Sequence, residues 1–141
     1  MTEQKLGAVV FGTGVGLNTH VPALRGAGVE VRALVGRDLE KTNERAQWAN
    51  IPLALKSLQP ALALPDVDIV CVATPPHTHA DIVLAACAAG KHVVCEKPFA
   101  RDIAEAELML AAAKNSRCVN AIGHELRFDV HHSLAAQAIR E

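Results

Sequence analysis

Two short segments of the sequence carry residue types that could do chemistry together. The first is a glycine-rich loop at residues 12–16 (Gly-Thr-Gly-Val-Gly), which follows the apolar run Ala8–Phe11. A loop without side chains lets the backbone approach a ligand closely, and the free NH groups at a helix start bind a diphosphate. The second is Glu-Lys-Pro at residues 96–98, after the apolar run 92–95. A lysine beside a reacting oxygen can stabilise an alkoxide or help to remove a hydroxyl proton.

Both segments lie at the ends of predicted strands. Short apolar runs alternate with helical patterns, and the predicted strands are residues 6–11, 29–36, 52–55, 67–73, 91–95 and 117–123. The fourth is apolar at every position from Ile69 to Ala73, which is typical of a strand covered on both faces. The sequence therefore predicts an α/β fold with a doubly wound, mainly parallel sheet between two helix layers, the three-layer Rossmann arrangement. Ligands of such folds bind beyond the carboxyl ends of the strands.

Helix boundaries support the same alternation. Asp38 and Asp102 are predicted N-caps, the first of a helix that ends near Trp48. Gly90 is a predicted helix stop. In the helix after Asp102, the spacing predicts four inward-facing residues, Ile103, Ala106, Leu110 and Ala113.

Composition excludes several functions. The 141 residues suffice for one domain, half of them are hydrophobic, and the net charge is −1. The basic residues form no stripe for nucleic acid, and no apolar run is long enough to cross a bilayer. The first residues lead directly into a predicted strand, so no signal peptide is expected. Cysteines without CxxC spacing predict reduced core thiols in a cytoplasmic protein, with no metal site: Cys71, Cys87, Cys95 and Cys118.

The glycine loop has the surroundings of a dinucleotide site, with a strand before it and a helix after it. The third small residue of the usual G-x-G-x-x-G/A pattern is replaced by Leu17, and Gly16 stands one place early. Either the helix starts differently, or it packs farther from the strand. Where NAD sites usually place an acid for the ribose, the chain has Gly36 and then Arg37. An arginine pairs with a 2′-phosphate, so NADP is the preferred prediction. NAD is the alternative, with Glu40 as a candidate ribose acceptor.

Four segments together resemble the Gfo/Idh/MocA (glucose–fructose oxidoreductase / inositol 2-dehydrogenase) family. They are residues 12–16, His-Val-Pro-Ala-Leu at 20–24, Ala-Thr-Pro-Pro-His-Thr-His at 73–79, and Gly-Lys-His-Val-Val-Cys-Glu-Lys-Pro at 90–98. The resemblance runs from about residue 6 to residue 129. It implies an NAD- or NADP-binding Rossmann domain of an oxidoreductase. Such an enzyme transfers a hydride between nicotinamide and a hydroxyl/carbonyl of a sugar, polyol or similar small molecule.

The resemblance also implies roles for single residues. Lys97 is the expected catalytic residue, beside the nicotinamide and in contact with the reacting oxygen of the substrate, and Glu96 helps to position it. His20 either lines the cofactor cleft or only occupies the helix start. The peptide bond before Pro98 is predicted to be cis. The expected cofactor-binding residues are Gly12, Thr13, Gly14, Val15, Gly16, Leu17, Arg37, Thr74, Pro75, His77, His79, Glu96, Lys97 and Arg127.

Members of this family carry a second domain that binds substrate. We therefore expect residues 1–125 to form the dinucleotide-binding domain and residues 126–141 to begin the connection to a substrate domain that lies outside these 141 residues. The chain alone is expected to bind dinucleotide but to turn over poorly, and to self-associate as a homo-oligomer. The alternative is a non-catalytic dinucleotide-binding module that acts as a sensor or docks onto another chain.

Overall fold

Six parallel strands form one sheet in the computed structural model, which describes residues 5–141. The strands occur in the sheet order β3-β2-β1-β4-β5-β6, and every neighbouring pair is parallel. Their bounds are β1 (Gly7–Phe11), β2 (Glu30–Val35), β3 (Leu53–Leu55), β4 (Ile69–Val72), β5 (His92–Glu96) and β6 (Asn120–Gly123). The predicted doubly wound α/β fold is confirmed. The chain reverses its direction across the sheet between β1 and β4, where such sheets open a crevice for ligands.

The helices follow the strands as the sequence predicts. They are α1 (Val21–Gly26), α2 (Leu39–Trp48), α3 (Leu58–Leu62), α4 (His79–Ala88), α5 (Ile103–Asn115) and α6 (Val130–Arg140). Short helical turns precede three of them: a π-helical turn over Gly16–His20, and 3-10 turns over Pro76–Thr78 and Glu125–Phe128. Both predicted caps are present, because Asp38 accepts a hydrogen bond from Lys41 N (3.1 Å) and Asp102 accepts one from Glu105 N (2.8 Å).

Two buried clusters lie on opposite faces of the sheet. Successive residues of a strand point to opposite faces, and Val9 and Val10 of β1 accordingly belong to different clusters. The first cluster packs the sheet against α3, α4 and α5, and the second packs it against α1 and α2. Every residue of β1 is buried. The three predicted layers are therefore present, and the strand that carries the glycine loop is the most enclosed.

The predicted inward face of α5 is wrong at two positions. Ile103 and Leu110 are exposed, at 78% and 51%, whereas Met109 is 1% exposed. The helix packs beside α4, and the buried side is centred on Met109. Alanine and leucine occur around most of this helix, so apolar spacing did not select the side that packs.

The last part of the chain is much less enclosed. Five large apolar side chains after β6 are more than half exposed, namely Leu126, Phe128, Val130, Leu134 and Ile139. The helix α6 packs mainly on the 3-10 turn that precedes it. No helix between residues 5 and 141 combines the length and the apolar character that crossing a bilayer demands.

The four cysteines are free, and the predicted core position holds for three of them, whereas Cys118 is only partly buried. Cys71, Cys87 and Cys95 are buried. Burial, with a smaller effect of the nearby Glu96 carboxylate, raises the pKa of Cys71 and Cys95 to about 12. These two side chains are therefore uncharged core residues at neutral pH.

Candidate functional site

A cleft opens where the carboxyl ends of β1, β2 and β4 meet. Backbone hydrogen bonds join these ends, from Gly12 N to Val35 O (2.9 Å) and from Ala73 N to Phe11 O (2.8 Å). The cleft encloses about 540 Å³. Its lining residues are Gly12, Thr13, Gly14, Val35, Gly36, Arg37, Ala73, Thr74, Pro75, His77 and Thr78. Seven of the expected cofactor-binding residues are among them: Gly12, Thr13, Gly14, Arg37, Thr74, Pro75 and His77.

The three glycines of the loop have different reasons to lack a side chain. Gly12 has φ +110°, and a Cβ there would lie 2.2 Å from the carbonyl oxygen of Ala73. A Cβ on Gly16 would lie 2.8 Å from Val10 Cγ1. A Cβ on Gly14 would meet no atom within 4 Å. The fold therefore requires glycine at positions 12 and 16, whereas the bare backbone at Gly14 leaves open space beside a cleft. That cradle fits a diphosphate, which needs close access to backbone NH groups.

The structure decides between the two interpretations of Leu17. The loop enters a π-helical turn, in which the NH of Val21 donates to the carbonyl of Gly16. The helix therefore starts differently, and Gly16 makes the close approach to β1 that the pattern assigns to a later residue. Leu17 is buried in the cluster beneath α1 and has no contact with the cleft. Val15 is exposed at the outer edge of the loop.

Packing explains the glycine at the end of β2. A Cβ on Gly36 would lie 2.3 Å from Thr42 Oγ1 and 2.7 Å from Thr13 Cγ2. Thr42 is itself buried and donates a hydrogen bond to Asp38 O. An acidic side chain at this position would therefore displace the glycine loop. The next residue, Arg37, lines the cleft and forms no salt bridge within residues 5–141, whereas Glu40 is not part of the lining.

Sequence reasoning missed one residue that holds the glycine loop. Arg45 of α2 reaches across to Thr13, where Nη1 donates to the backbone carbonyl (3.1 Å) and to the side-chain hydroxyl. Asp38, Thr42 and Arg45 follow one another at i, i+4 and i+7, so they lie along one face of α2. That polar stripe on the side of the helix nearest the loop was the available signal.

A second wall of the site rises from β4 and β5. Their register pairs Val72 with Cys95, so the next residues, Ala73 and Glu96, lie side by side. His20 Nε2 donates to Glu96 Oε1 at 2.8 Å, and both side chains are largely shielded from solvent. The other carboxylate oxygen accepts from Lys97 N at 3.2 Å. His20 thus connects the turn after the glycine loop to the lysine segment, and it is not among the residues that line the cleft.

Lys97 extends from this segment into a half-exposed position. The peptide bond between Lys97 and Pro98 is cis, as predicted. Lys97 Nζ donates to Glu125 Oε1 at 3.0 Å, a partner that sequence reasoning did not identify. The hydrogen bond and the charge of Glu125 raise the pKa of Lys97. A hydrogen bond from its own backbone NH, followed by the Lys97 ammonium, lowers the pKa of Glu125. The Lys97 ammonium is therefore charged at neutral pH, and Glu125 fixes its position.

His79, an expected cofactor-binding residue, is not among the residues that line the cleft. This residue begins α4 and is 1% exposed, so its ring lies beneath the cleft and not along its wall. Its Nε2 lies 2.8 Å from Thr74 O, and its Nδ1 lies 3.1 Å from Pro98 O. Each ring nitrogen thus faces a backbone carbonyl oxygen of the protein. His77 remains at the surface of the cleft.

Arg127 is one of the expected cofactor residues outside the cleft lining, as Glu96 and Lys97 also are. It lies on the exposed 3-10 turn Glu125–Phe128 and does not line the cleft. Across the described part of the chain, no three histidine, cysteine or acidic side chains come together in a way that could hold a metal ion.

Known proteins resemble this chain in sequence. The family model described as an oxidoreductase family with an NAD-binding Rossmann fold (Gfo/Idh/MocA) matches residues 6–124. The chain is 35% identical over 121 residues to the 1,5-anhydro-D-fructose reductase of Ensifer adhaerens. The match covers 86% of this chain and 36% of that reductase.

Solved structures resemble it in fold. Levoglucosan dehydrogenase in complex with NADH and levoglucosan has a TM-score of 0.87 at 27% identity, over 97% of this chain and 40% of that one. KijD10, a 3-ketoreductase from Actinomadura kijaniata bound to TDP-benzene and NADP, has a TM-score of 0.87 at 25% identity, over 96% of this chain and 42% of that one. The chain thus spans 36% to 42% of the length of these three proteins.

Proposed function

Since the chain belongs to the Gfo/Idh/MocA family of oxidoreductases with an NAD-binding Rossmann fold, we propose that its cleft binds NADP and serves a sugar oxidoreductase. The diphosphate would lie on the glycine loop, and the nicotinamide would lie toward Thr74 and Lys97. The observation that carries this proposal is the hydrogen bond from His20 to Glu96. It ties the segment that bears Lys97 to the helical turn that follows the glycine loop, which brings the two segments to the same end of the sheet.

In the proposed reaction, Lys97 interacts with the oxygen of the substrate that gains or loses charge. A bound nicotinamide cofactor supplies or accepts the hydride. Because Glu125 keeps the ammonium charged, Lys97 can donate a hydrogen bond to the reacting oxygen and stabilise negative charge on it. The relatives named as 1,5-anhydro-D-fructose reductase and levoglucosan dehydrogenase favour a hydroxyl/carbonyl pair of a sugar or polyol as the site of hydride transfer.

Arg37 supports NADP over NAD. Position 36 has no room for the acid that would bind a ribose 2′-hydroxyl, and the guanidinium of Arg37 stands next to it at the cleft. An arginine at this place can form a charge-assisted pair with a 2′-phosphate. Related structures are named with NADH and with NADP, so the preference depends on the residues of this chain.

The remaining parts of the proposal concern the whole protein. Residues 1–125 would be the dinucleotide-binding domain, and residues 126–141 would lead to a substrate-binding domain. The open apolar side chains of α6 support a homo-oligomer or a covering domain at that end. The four free thiols support a cytoplasmic location.

Parallel titrations with NADPH and NADH test the proposal. We expect wild-type protein to bind NADPH more tightly, and Arg37→Ala to weaken NADPH by about tenfold, which corresponds to about 1.4 kcal/mol. The same change should leave NADH affinity unaltered. Arg117→Ala, at an exposed arginine outside the cleft, is the matched control. An NADH preference that Arg37→Ala does not alter would contradict the NADP assignment, and failure to bind either dinucleotide would contradict the function.

A further inference from the structure

A buried histidine connects the two loops that would flank the nicotinamide. Thr74 belongs to the loop after β4 and lines the cleft, and Pro98 belongs to the loop after β5, directly after Lys97. The paired register of these strands ends at Val72 and Cys95. Beyond that point, within residues 5–141, the hydrogen bonds that span the two loops are those of His79, at 2.8 Å to Thr74 O and 3.1 Å to Pro98 O.

The chemistry of imidazole suits this role. A carbonyl oxygen can only accept, so each contact is a hydrogen bond when the ring nitrogen facing it carries a proton. A neutral ring holds one loop through its NH, and a doubly protonated ring holds both. Since His79 is 1% exposed, water cannot replace these bonds from solvent. In either state the rigid, planar ring lies between the two carbonyl oxygens, 2.8 Å from Thr74 O and 3.1 Å from Pro98 O, and so sets their separation.

We propose that His79 is a positioning residue for the nicotinamide half of the cofactor site. It holds the Thr74 loop and the Lys97–Pro98 segment at a fixed separation, so that the nicotinamide enters a preformed slot between them. It touches neither cofactor nor substrate and acts through the two carbonyls it binds. The inference rests on the proposed function, because it assigns this end of the cleft to the nicotinamide.

The ring offers a set of graded substitutions. His79→Asn places an amide NH near the position of Nδ1 and can keep the bond to Pro98 O. His79→Gln places one near Nε2 and can keep the bond to Thr74 O. His79→Phe retains a planar ring but removes both donors. His92→Asn is the matched control, because His92 Nδ1 accepts from Val119 N at the opposite end of β5, and an asparagine oxygen can accept in its place.

Two ligands separate positioning from general stability. NADPH contains the nicotinamide, whereas 2′-phospho-ADP-ribose carries the same adenosine and diphosphate without it. We expect His79→Phe to weaken NADPH by about tenfold, the loss of roughly one or two good hydrogen bonds, and to change 2′-phospho-ADP-ribose by less than about twofold. His79→Asn and His79→Gln should fall between His79→Phe and wild type, and His92→Asn should match wild type.

Several results would overturn the inference. If the His79 variants weaken both ligands equally, or weaken neither, the histidine is only a core residue. If His79→Phe does not fold, the same comparison applies to His79→Asn and His79→Gln, which keep one bond each. A wild-type protein that binds neither ligand would overturn the proposed function together with this inference. A wild-type protein that binds both, with no ligand difference in the variants, would overturn the inference alone.

Discussion

The two ends of the candidate site are built by different means. At the glycine-loop end, shape comes from missing side chains, since Gly12, Gly16 and Gly36 each stand where a Cβ would collide with the protein. At the lysine end, shape comes from side chains that bind one another or the backbone, such as His20 with Glu96 and Lys97 with Glu125. The first end is fixed by close packing of the backbone after the strands, whereas the second is fixed by side-chain contacts from the end of β5 and the segment after it.

This difference predicts how each end responds to substitution. A change at the glycine-loop end alters backbone packing, so it affects stability and every ligand that uses the diphosphate site. A change at the lysine end removes one polar contact, so it affects chiefly the ligands that carry a nicotinamide. Binding of NADPH and of 2′-phospho-ADP-ribose, measured beside the free energy of unfolding, separates the two.

The largest effect is expected from Gly12→Ala. The new methyl group would lie 2.2 Å from the carbonyl oxygen of Ala73, and φ +110° is strained for alanine. Both are backbone constraints, so we expect the free energy of unfolding to fall by about 3 kcal/mol or more. Urea denaturation measures this change. Stability equal to that of wild type would show that the loop adopts a different conformation.

Gly14→Ala should separate binding from stability. A Cβ there meets no atom within 4 Å, so the free energy of unfolding should change by less than about 1 kcal/mol. The methyl group would instead occupy space needed by the diphosphate. We expect NADPH and 2′-phospho-ADP-ribose to bind at least about tenfold more weakly, by isothermal titration calorimetry. Unchanged binding would remove the glycine loop from the ligand site.

A pair of variants compares one side-chain contact from each end. Arg45→Ala releases Thr13 of the glycine loop and should weaken both ligands by about threefold, or about 0.7 kcal/mol. His20→Phe breaks the bond to Glu96 and should weaken NADPH by about threefold while leaving 2′-phospho-ADP-ribose unchanged. Fluorescence competition measures both affinities, with Arg117→Ala as the control. If the two variants show the same ligand pattern, the two ends are not separable.

The smallest effect is expected from Glu125→Gln, and it concerns pH. Glu125 raises the pKa of Lys97, so the variant should lower that pKa toward the ordinary lysine value. The stabilising effect of the raised lysine pKa is present below the unfolded pKa and is lost as pH rises through the folded one. The pKa of Glu125 is lowered, so its stabilising effect is present above the unfolded pKa and is lost as pH falls through the folded pKa.

Both side chains are about half exposed, so solvent screens the pair and its contribution to stability near neutral pH should be small. NMR titration of the Lys97 side-chain resonances measures its pKa directly, and Glu107→Gln, at an exposed acid on α5, is a suitable control. A Lys97 pKa that does not fall in Glu125→Gln would show that the ion pair does not form in solution.

Sequence patterns were sufficient for the parts of the fold that depend on local rules. The strands, the caps at Asp38 and Asp102 and the turn at Gly90, which has φ +68°, each reflect the chemistry of a few neighbouring residues. The inward face of α5 was not predictable in the same way. Its alanines allow several sides to pack, and contact with α4 decides which one does.

The residues of the site likewise fall into those that local sequence patterns identify and those that depend on long-range contacts. Gly12, Gly14 and Thr74 were identifiable because motif and position in the fold coincide. Arg45, Glu125 and the true position of His79 were not, because each depends on a contact between residues distant in sequence. The bond from Arg45 to Thr13 spans 32 residues, and the bond from His79 to Pro98 spans 19. Spacing along the chain carries little information about such contacts.

A crystal structure of the protein soaked with NADPH tests the central claim most directly. We predict electron density for the diphosphate against the backbone of residues 13–15, and for the nicotinamide between Thr74 and Lys97. Density for the dinucleotide at another edge of the sheet, or with the nicotinamide directed away from Lys97, would contradict the account.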